Sequence, residues 1–194
     1  MQHFHKVKGA AALMGLSALF ISMTAGAAST ASTEFTATIA YEGACDITAP
    51  ANVSFNGGDA ILPSLIEAGD SVATKSFDLT LANCQGLGLT PKITLTGTSN
   101  TDTGTALFAD AASTSTGYGI LLATVGDDNF KANTNLAANK TIAAIDDWDA
   151  TGTSLTTLNG TLPMSATISC GDCDAEGRLG GDLVANVTFN FLYE

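Results

Sequence analysis

The chain has 194 residues and carries 19 acidic but only seven basic side chains, a formal net charge of −12. Such an acidic protein repels phosphate backbones, which argues against nucleic acid as a partner. The length suits one domain with a full hydrophobic core. The many Thr, Ser, Ala, Gly and Asn residues favour an extracellular β protein over a helical one.

Residues 1–27 are predicted to be a secretory signal peptide. Lys6 and Lys8 precede an apolar run over residues 10–20, which is too short to span a bilayer. Residues 25–27, Ala-Gly-Ala, form a small-residue cleavage site. The mature chain would then hold all 19 acidic residues and five basic ones, a formal balance of 5 − 19 = −14.

Residues 28–44 form an extension that precedes the predicted domain. It begins as a small polar tract, and then apolar side chains occupy every second position, which predicts a strand. These positions are Phe35, Ala37, Ile39 and Tyr41. The strand is interpreted either as the first strand of a sandwich or as a detachable strand that pairs with another copy of the chain.

Four cysteines remain after the predicted cleavage, and export favours disulfide bonds between them. Four cysteines allow three pairings, of which we predict Cys45–Cys84 and Cys170–Cys173. In the loop-entropy model the first bond is worth about 4 kcal/mol and the second about 2 kcal/mol. The C-x-x-C spacing of the second pair also occurs in redox motifs, but it lacks a βα setting, so we expect a local disulfide.

The middle of the chain reads as short strands separated by turns that contain Gly, Pro and Asp. Strands are predicted over residues 74–84, 92–98, 107–108, 117–125, 141–145 and 161–170. Such spacing predicts an all-β sandwich. No stretch has a sustained helical period, and nothing indicates a second domain.

The last strand shows the clearest alternation of the chain. Its apolar face consists of Leu183, Ala185, Val187, Phe189, Phe191 and Tyr193. Polar side chains dominate the opposite face, which predicts a half-buried strand. It is interpreted either as an ordinary final strand or as a core strand that is also a docking edge.

The sequence offers no catalytic machinery. Its only histidines, His3 and His5, lie in the predicted signal peptide, which excludes a Ser-His-Asp triad or a His-ligated metal in the mature protein. Acidic residues cluster at 146–149, beside Trp148, and at 172–176, but the calcium-loop signature is absent. We predict no enzyme activity, no cofactor and no metal site.

Four landmarks together resemble the subunits of bacterial chaperone–usher fimbriae, of the type 1-like major pilin kind. They are the signal peptide, the alternating arm before Cys45, the strand 77–84 that ends in Asn83-Cys84, and the last strand. Gly181 stands fourteenth from the end and Tyr193 second, as in that family. The extra pair Cys170 and Cys173 departs from the commonest pattern.

The resemblance implies an incomplete immunoglobulin-like β-sandwich over residues 45–194, completed by donor-strand exchange. The extension 28–44 would donate Phe35, Ala37, Ile39 and Tyr41 to the groove of the next subunit. The segment from Gly181 to Glu194 would border the groove and contact a chaperone. Its inward side chains would be those of the alternating face, and basic chaperone residues would hold the α-carboxylate of Glu194.

The implied function is that of a structural subunit of an adhesive fimbria. The implied partners are identical or related pilin subunits, a periplasmic chaperone, an outer-membrane usher, and host glycans or proteins. The chain would be exported through the periplasm to the cell surface. Two alternatives stay open: a monomeric secreted carbohydrate-binding β-sandwich, and an exported enzyme, which the missing histidines disfavour.

Overall fold

A computed structural model describes residues 32–39 and 42–194 of the chain. One compact unit runs from Ile39 to Glu194. Residues 32–38 precede it and have no regular secondary structure. The predicted signal peptide, residues 28–31 of the predicted extension and Tyr41 lie outside the described residues.

Nine strands and two short α-helices make up the regular structure of the compact unit. The strands are β1 Ala44–Thr48, β2 Thr74–Gln85, β3 Pro91–Thr96, β4 Ser99–Asn100, β5 Leu107–Phe108, β6 Gly119–Thr124, β7 Thr141–Ala143, β8 Gly160–Ser169 and β9 Thr188–Tyr193. The helices are α1 Pro63–Glu67 and α2 Leu136–Asn139, and single 3₁₀ turns lie at Asn56–Gly58, Ser71–Ala73 and Leu155–Leu158.

The strands form two antiparallel sheets, which confirms the predicted all-β class. The larger sheet has the order β1-β2-β8-β6-β5-β4, and the smaller sheet has the order β7-β3-β9. Every strand pairing is antiparallel. No helix among the described residues has the length and apolar character needed to cross a membrane.

Both sheets contribute to one hydrophobic core, because their strands alternate between buried and exposed side chains. In the larger sheet, Leu79 of β2 lies opposite Leu162 of β8, and both are fully buried. In the smaller sheet, Ile93 of β3 lies opposite Ile142 of β7, and both are fully buried. The period of two that is visible in the sequence therefore selects the buried face of each strand.

Both predicted disulfide bonds are present. Cys45–Cys84 joins β1 to β2 across 39 residues of sequence, whereas Cys170–Cys173 closes a short loop directly after β8. No free cysteine remains among the described residues. The first bond therefore links two strands, and the second shapes a connection.

Several details differ from the sequence prediction. Residues 35–39, the described part of the strand predicted over residues 35–41, have no regular secondary structure. A strand needs a neighbour to satisfy its backbone hydrogen bonds. The last strand begins at Thr188 instead of Leu183. Helix α1 was not predicted because five residues are too few to show a helical period.

Candidate functional site, an open groove at a sheet edge

Strand β9 is the outermost strand of the smaller sheet, so one of its edges has no strand beside it. Thr90 and Glu194 exchange two backbone hydrogen bonds, of 2.7 and 3.1 Å. In an antiparallel ladder such pairs alternate with pairs that share no hydrogen bond. The backbone N–H and C=O groups of Phe189, Phe191 and Tyr193 therefore point away from β3, toward the open edge.

The alternation of bonded and unbonded residues continues before β9, although this segment does not pair with a strand. The backbone N–H of Asp110 donates to the carbonyl of Val184 over 2.8 Å, and the N–H of Asn186 donates to the carboxylate of Asp110 over 2.9 Å. Through these bonds the backbone groups of the even-numbered residues point toward Asp110. The odd-numbered residues of 183–187 make no backbone hydrogen bond to the rest of the described chain. The open edge therefore extends over residues 183–193.

The side chains of this segment alternate as the sequence predicts. Half-buried side chains alternate with exposed ones from Leu183 to Phe191. The half-buried residues that pack against the core are Ala185, Val187, Phe189 and Phe191. The residues that direct backbone groups to the open edge are thus the residues whose side chains face inward.

A second backbone segment, residues 49–54, lies on the other side of the groove. The pairing of β1 with β2 ends at Thr48. Among the described residues, none forms a hydrogen bond with the backbone of residues 49–54. This segment is the first border of the groove, and residues 183–189 are the second border.

Between the two borders lies an apolar groove with a cavity volume of about 600 Å³. Its floor consists of side chains from β2, β6 and β8, namely Phe77, Ile120, Leu122, Ala166 and Ile168. Several of these side chains belong to the hydrophobic core or pack against it. The groove therefore exposes the interior of the fold along an edge that lacks a strand.

The groove continues into a second cavity of about 540 Å³, which we call the end cavity. Phe55, Ile168 and Leu183 line both spaces. Helix α1 supplies Pro63 and Ile66 to the wall of the end cavity, and residues 180–183 form the facing wall. We call the groove and the end cavity, which share the lining residues Phe55, Ile168 and Leu183, the trough.

None of Gly181, Tyr193 and Glu194 lines the groove itself, although Gly181 lines the end cavity. A Cβ atom on Gly181 would lie 2.8 Å from the backbone nitrogen of Ser115, so this position requires glycine for a close backbone approach. Tyr193, predicted to point inward, is 42% exposed, and its ring lies beside Gly43. Glu194 lies beside β3, where its side-chain carboxylate is 3.4 Å from the ammonium group of Lys92.

The predicted donor residues lie in the segment before the compact unit or at its start. Phe35 is 92% exposed and Ile39 is 89% exposed, which is unusual for large apolar side chains. Ala37 is also exposed, and Tyr41 lies outside the described residues. Exposed apolar side chains in a segment without secondary structure leave this part of the chain available for pairing.

The other residues singled out in the sequence have structural roles. The indole N–H of Trp148 donates to the carbonyl of Leu89 over 2.9 Å, and the ring packs against the core. The carboxylate of Asp149 accepts hydrogen bonds from Thr151 and Gly152, which closes a turn. Within residues 32–39 and 42–194, no group of three His, Cys, Asp or Glu side chains is arranged to hold a metal ion.

Sequence reasoning missed the first border and the wall of the end cavity that helix α1 supplies. Residues 49–54 have no periodicity that marks them as an edge, and their position depends on β1 and β2. Arg178 and Glu67, which form an ion pair beside the end cavity, are 111 residues apart in sequence. Their only visible signal is that Arg178 is the single arginine of the chain.

The fold and the groove define the class of this protein: it is an all-β protein of two antiparallel sheets whose core is open along one sheet edge. Comparison of the sequence with known protein families and with curated proteins gives no match. The function is therefore argued from the geometry of the groove and from the chemistry of the sequence.

Proposed function

We propose that this protein is a structural subunit that polymerises by donating its N-terminal strand to the groove of the next copy. The observation that carries the proposal is an apolar groove bordered on both sides by backbone groups that form no hydrogen bond within residues 32–39 and 42–194, namely those of 49–54 and of the odd-numbered residues of 183–189. The donor is the extension 28–44, with Phe35, Ala37, Ile39 and Tyr41 as the inserted side chains. The groove of the acceptor is bordered by residues 49–54 and 183–189.

The chemistry of the groove selects an extended peptide as its occupant. Any molecule that covers the apolar floor also removes water from the N–H and C=O groups of the two borders. Burying such groups without hydrogen bonds costs about 1–3 kcal/mol each. Only an occupant with its own N–H and C=O groups at strand spacing satisfies both borders, as in β-augmentation. A sugar or a small apolar ligand would leave most of these groups unpaired.

The side chains of the extension match an apolar groove. Burying Phe35, Ile39 and Tyr41 contributes roughly 5–9 kcal/mol before ordering costs. Ala37 lies between larger side chains and suits a narrow part of the groove. Because Phe35 and Ile39 are almost fully exposed, their insertion into another copy loses few contacts of the free chain.

The finer fold we propose is an immunoglobulin-like sandwich that lacks one strand. The open edge of β9 is where a further strand extends the smaller sheet, and the apolar floor is where that strand covers the core. A donor and an acceptor surface on different parts of one chain make head-to-tail contacts that do not close. Repeated exchange therefore produces a filament.

The proposed setting follows the resemblance to chaperone–usher fimbriae. A periplasmic chaperone would cover the groove before assembly, because an open apolar groove in a free subunit promotes aggregation. The segment from Gly181 to Glu194 would contact this chaperone. An outer-membrane usher would then export the subunits to the cell surface, where the fimbria supports adhesion to host glycans or proteins.

The proposal is tested with a chain that accepts a strand but cannot donate one. Phe35→Asp combined with Ile39→Asp removes both exposed apolar anchors without touching the core, and we call this variant the acceptor chain. A synthetic peptide of residues 28–43 should bind it with one-to-one stoichiometry in calorimetry. At a peptide concentration of about 100 times Kd, the free energy of unfolding should rise by about 2.7 kcal/mol.

A peptide with Asp at positions 35 and 39 is the matched control, and it should not bind. The wild-type chain should form fibres in electron microscopy, whereas the acceptor chain should not. Absence of peptide binding to a folded acceptor chain would contradict the proposal. Sugar binding by a chain that stays monomeric would favour the carbohydrate-binding alternative, although the indole N–H of Trp148 is already bonded within the fold.

A further inference from the structure

Helix α1 and the segment just before residues 180–183 are joined directly at one place within the described chain. The guanidinium Nη1 of Arg178 donates to Oε1 of Glu67 over 2.5 Å. Glu67 ends helix α1, which forms one wall of the end cavity, and Arg178 precedes the facing wall at residues 180–183. No other hydrogen bond or ion pair of the described residues links residues 49–69 to residues 178–193.

The backbone around Arg178 holds its side chain in place. Leu179 and Thr116 exchange two backbone hydrogen bonds of 3.0 Å each. A Cβ atom on Gly117 would lie 2.6 Å from Cγ of Arg178, so the stem of the arginine packs directly on the glycine backbone. The side chains of Arg178 and Glu67 are 23% and 40% exposed. Arg178 therefore loses little rotamer freedom when it pairs with Glu67.

The charge of the chain makes this pair distinctive. Arg178 is the single arginine of a chain with 19 acidic residues. Its bond to Glu67 also raises the pKa of the guanidinium above its ordinary value, so the group stays charged at every accessible pH. The other ion pairs of the described residues, Lys131–Asp146 and Lys92–Glu194, do not join α1 to the segment before residues 180–183.

We propose that the Arg178–Glu67 pair is an ionic clasp that closes the end cavity and must open before a strand occupies it. The inference rests on the proposed function, because the clasp controls uptake of a strand by the same trough. The clasp ties the end of α1, whose Pro63 and Ile66 line the end cavity, to the residue two positions before the 180–183 wall. An incoming peptide separates these walls, which breaks the pair. Arg178 and Glu67 thus control the rate of strand uptake while the groove supplies its affinity.

The first test measures how fast the arm peptide of residues 28–43 binds to the acceptor chain. At about 0.01 M salt, Glu67→Gln and Arg178→Met should each raise the association rate about fivefold, the effect of one partly exposed ion pair. At about 1 M salt the Debye length falls to about 3 Å, and the difference from the unmodified acceptor chain should shrink. Arg178→Lys keeps the charge and should remain closer to the unmodified chain.

Lys131→Met is the matched control. It removes a surface ion pair that does not join α1 to the segment before residues 180–183, so it should leave the association rate unchanged. The clasp would be overturned if Glu67→Gln and Arg178→Met took up the peptide no faster than the unmodified acceptor chain. An equal acceleration by Lys131→Met would also overturn the clasp, because the effect would then reflect charge alone.

A second measurement tests the clasp by hydrogen exchange in the absence of peptide. Hydrogen exchange of the acceptor chain should become faster over residues 63–70 and 179–184 in Glu67→Gln, and not in Lys131→Met. Unchanged exchange in both segments would overturn the clasp whatever the peptide does. If exchange becomes faster but no variant binds the peptide, the ion pair does hold the two segments together. The proposed uptake of a strand would then be refuted.

Discussion

Ala185 has the smallest side chain among the inward-facing residues of segment 183–193, and it lines the groove. A large side chain at this position would occupy the space that the donor strand needs. Ala185→Trp should therefore weaken binding of the arm peptide to the acceptor chain by about 1–3 kcal/mol, about 5- to 150-fold in Kd. Thr188→Trp is the control, because Thr188 is exposed on the opposite face, and it should bind the peptide normally. Equal effects of both substitutions in titration calorimetry would contradict the assignment of the groove face.

Asp149 should make the stability of the fold depend on pH in the acidic range. The hydroxyl of Thr151 donates to its carboxylate, and so do the backbone N–H groups of Thr151 and Gly152, which lowers the pKa of Asp149 below the ordinary value of 3.8. A lowered folded-state pKa adds stability that is fully present above pH 3.8 and is lost as the pH falls through the folded-state value.

Thermal unfolding measured from pH 6 down to pH 2 checks this expectation. The Tm of the wild type should fall more steeply below about pH 4 than the Tm of Asp149→Asn, since only the wild type loses bonds to a carboxylate. Asp128→Asn removes an exposed carboxylate, since the hydrogen bonds of that turn within the described residues go to Asp127 instead, and it should follow the wild type. Parallel pH profiles for the wild type and Asp149→Asn would refute this role.

At the scale of elements, the two disulfide bonds should contribute unequally to stability. Replacing Cys45 and Cys84 by Ala should lower the free energy of unfolding by about 4 kcal/mol, because that bond closes a long loop between β1 and β2. Replacing Cys170 and Cys173 by Ala should cost about 2 kcal/mol, because that loop is short. Urea denaturation of the oxidised proteins measures both values. A larger loss from the second pair would show that the loop-entropy account fails here.

Alternation in the sequence predicts the strands that lie inside a sheet. Strands β2 and β8 form where the period of two predicts them, because each buries one face and pairs along its length. The pattern fails where alternation occurs without a neighbouring strand. Residues 183–187 alternate in burial but bond to Asp110 and not to a strand, and residues 35–39 alternate in sequence but form no strand. These exceptions are the parts that strand exchange would use.

At the scale of the whole molecule, the candidate site could be predicted only in part. The sequence identifies the inward face of the last strand, since that information is local. It does not identify the floor of the groove, the first border or the pair of Arg178 with Glu67, because these join elements that are distant in sequence. The open edge likewise follows from the sheet order, in which no strand of the described chain pairs with the outer side of β9.

Head-to-tail exchange makes a further prediction about assembly. The acceptor chain carries a groove but no working donor strand, so it should end any fibre that takes it up. Adding it to the wild-type chain should shorten the fibres seen in electron microscopy as its fraction rises. A chain with Ala185→Trp, which keeps its donor strand but has a filled groove, should end fibres at the other end. Fibre lengths that do not change with either variant would contradict assembly by strand exchange.

The most direct test of the account is hydrogen exchange at single amides of segment 183–193 in the acceptor chain, followed by NMR. The amides of Ala185, Val187, Phe189 and Phe191 point to the open edge, so they should exchange fast in the free protein and become protected when the arm peptide binds. The amides of Asn190 and Leu192, which lie in the hydrogen-bonded pairs with β3, should be protected in both states. Odd-numbered amides that are already protected in the free chain, or that stay unprotected at saturating peptide, would contradict the claim that this edge awaits a strand from another copy.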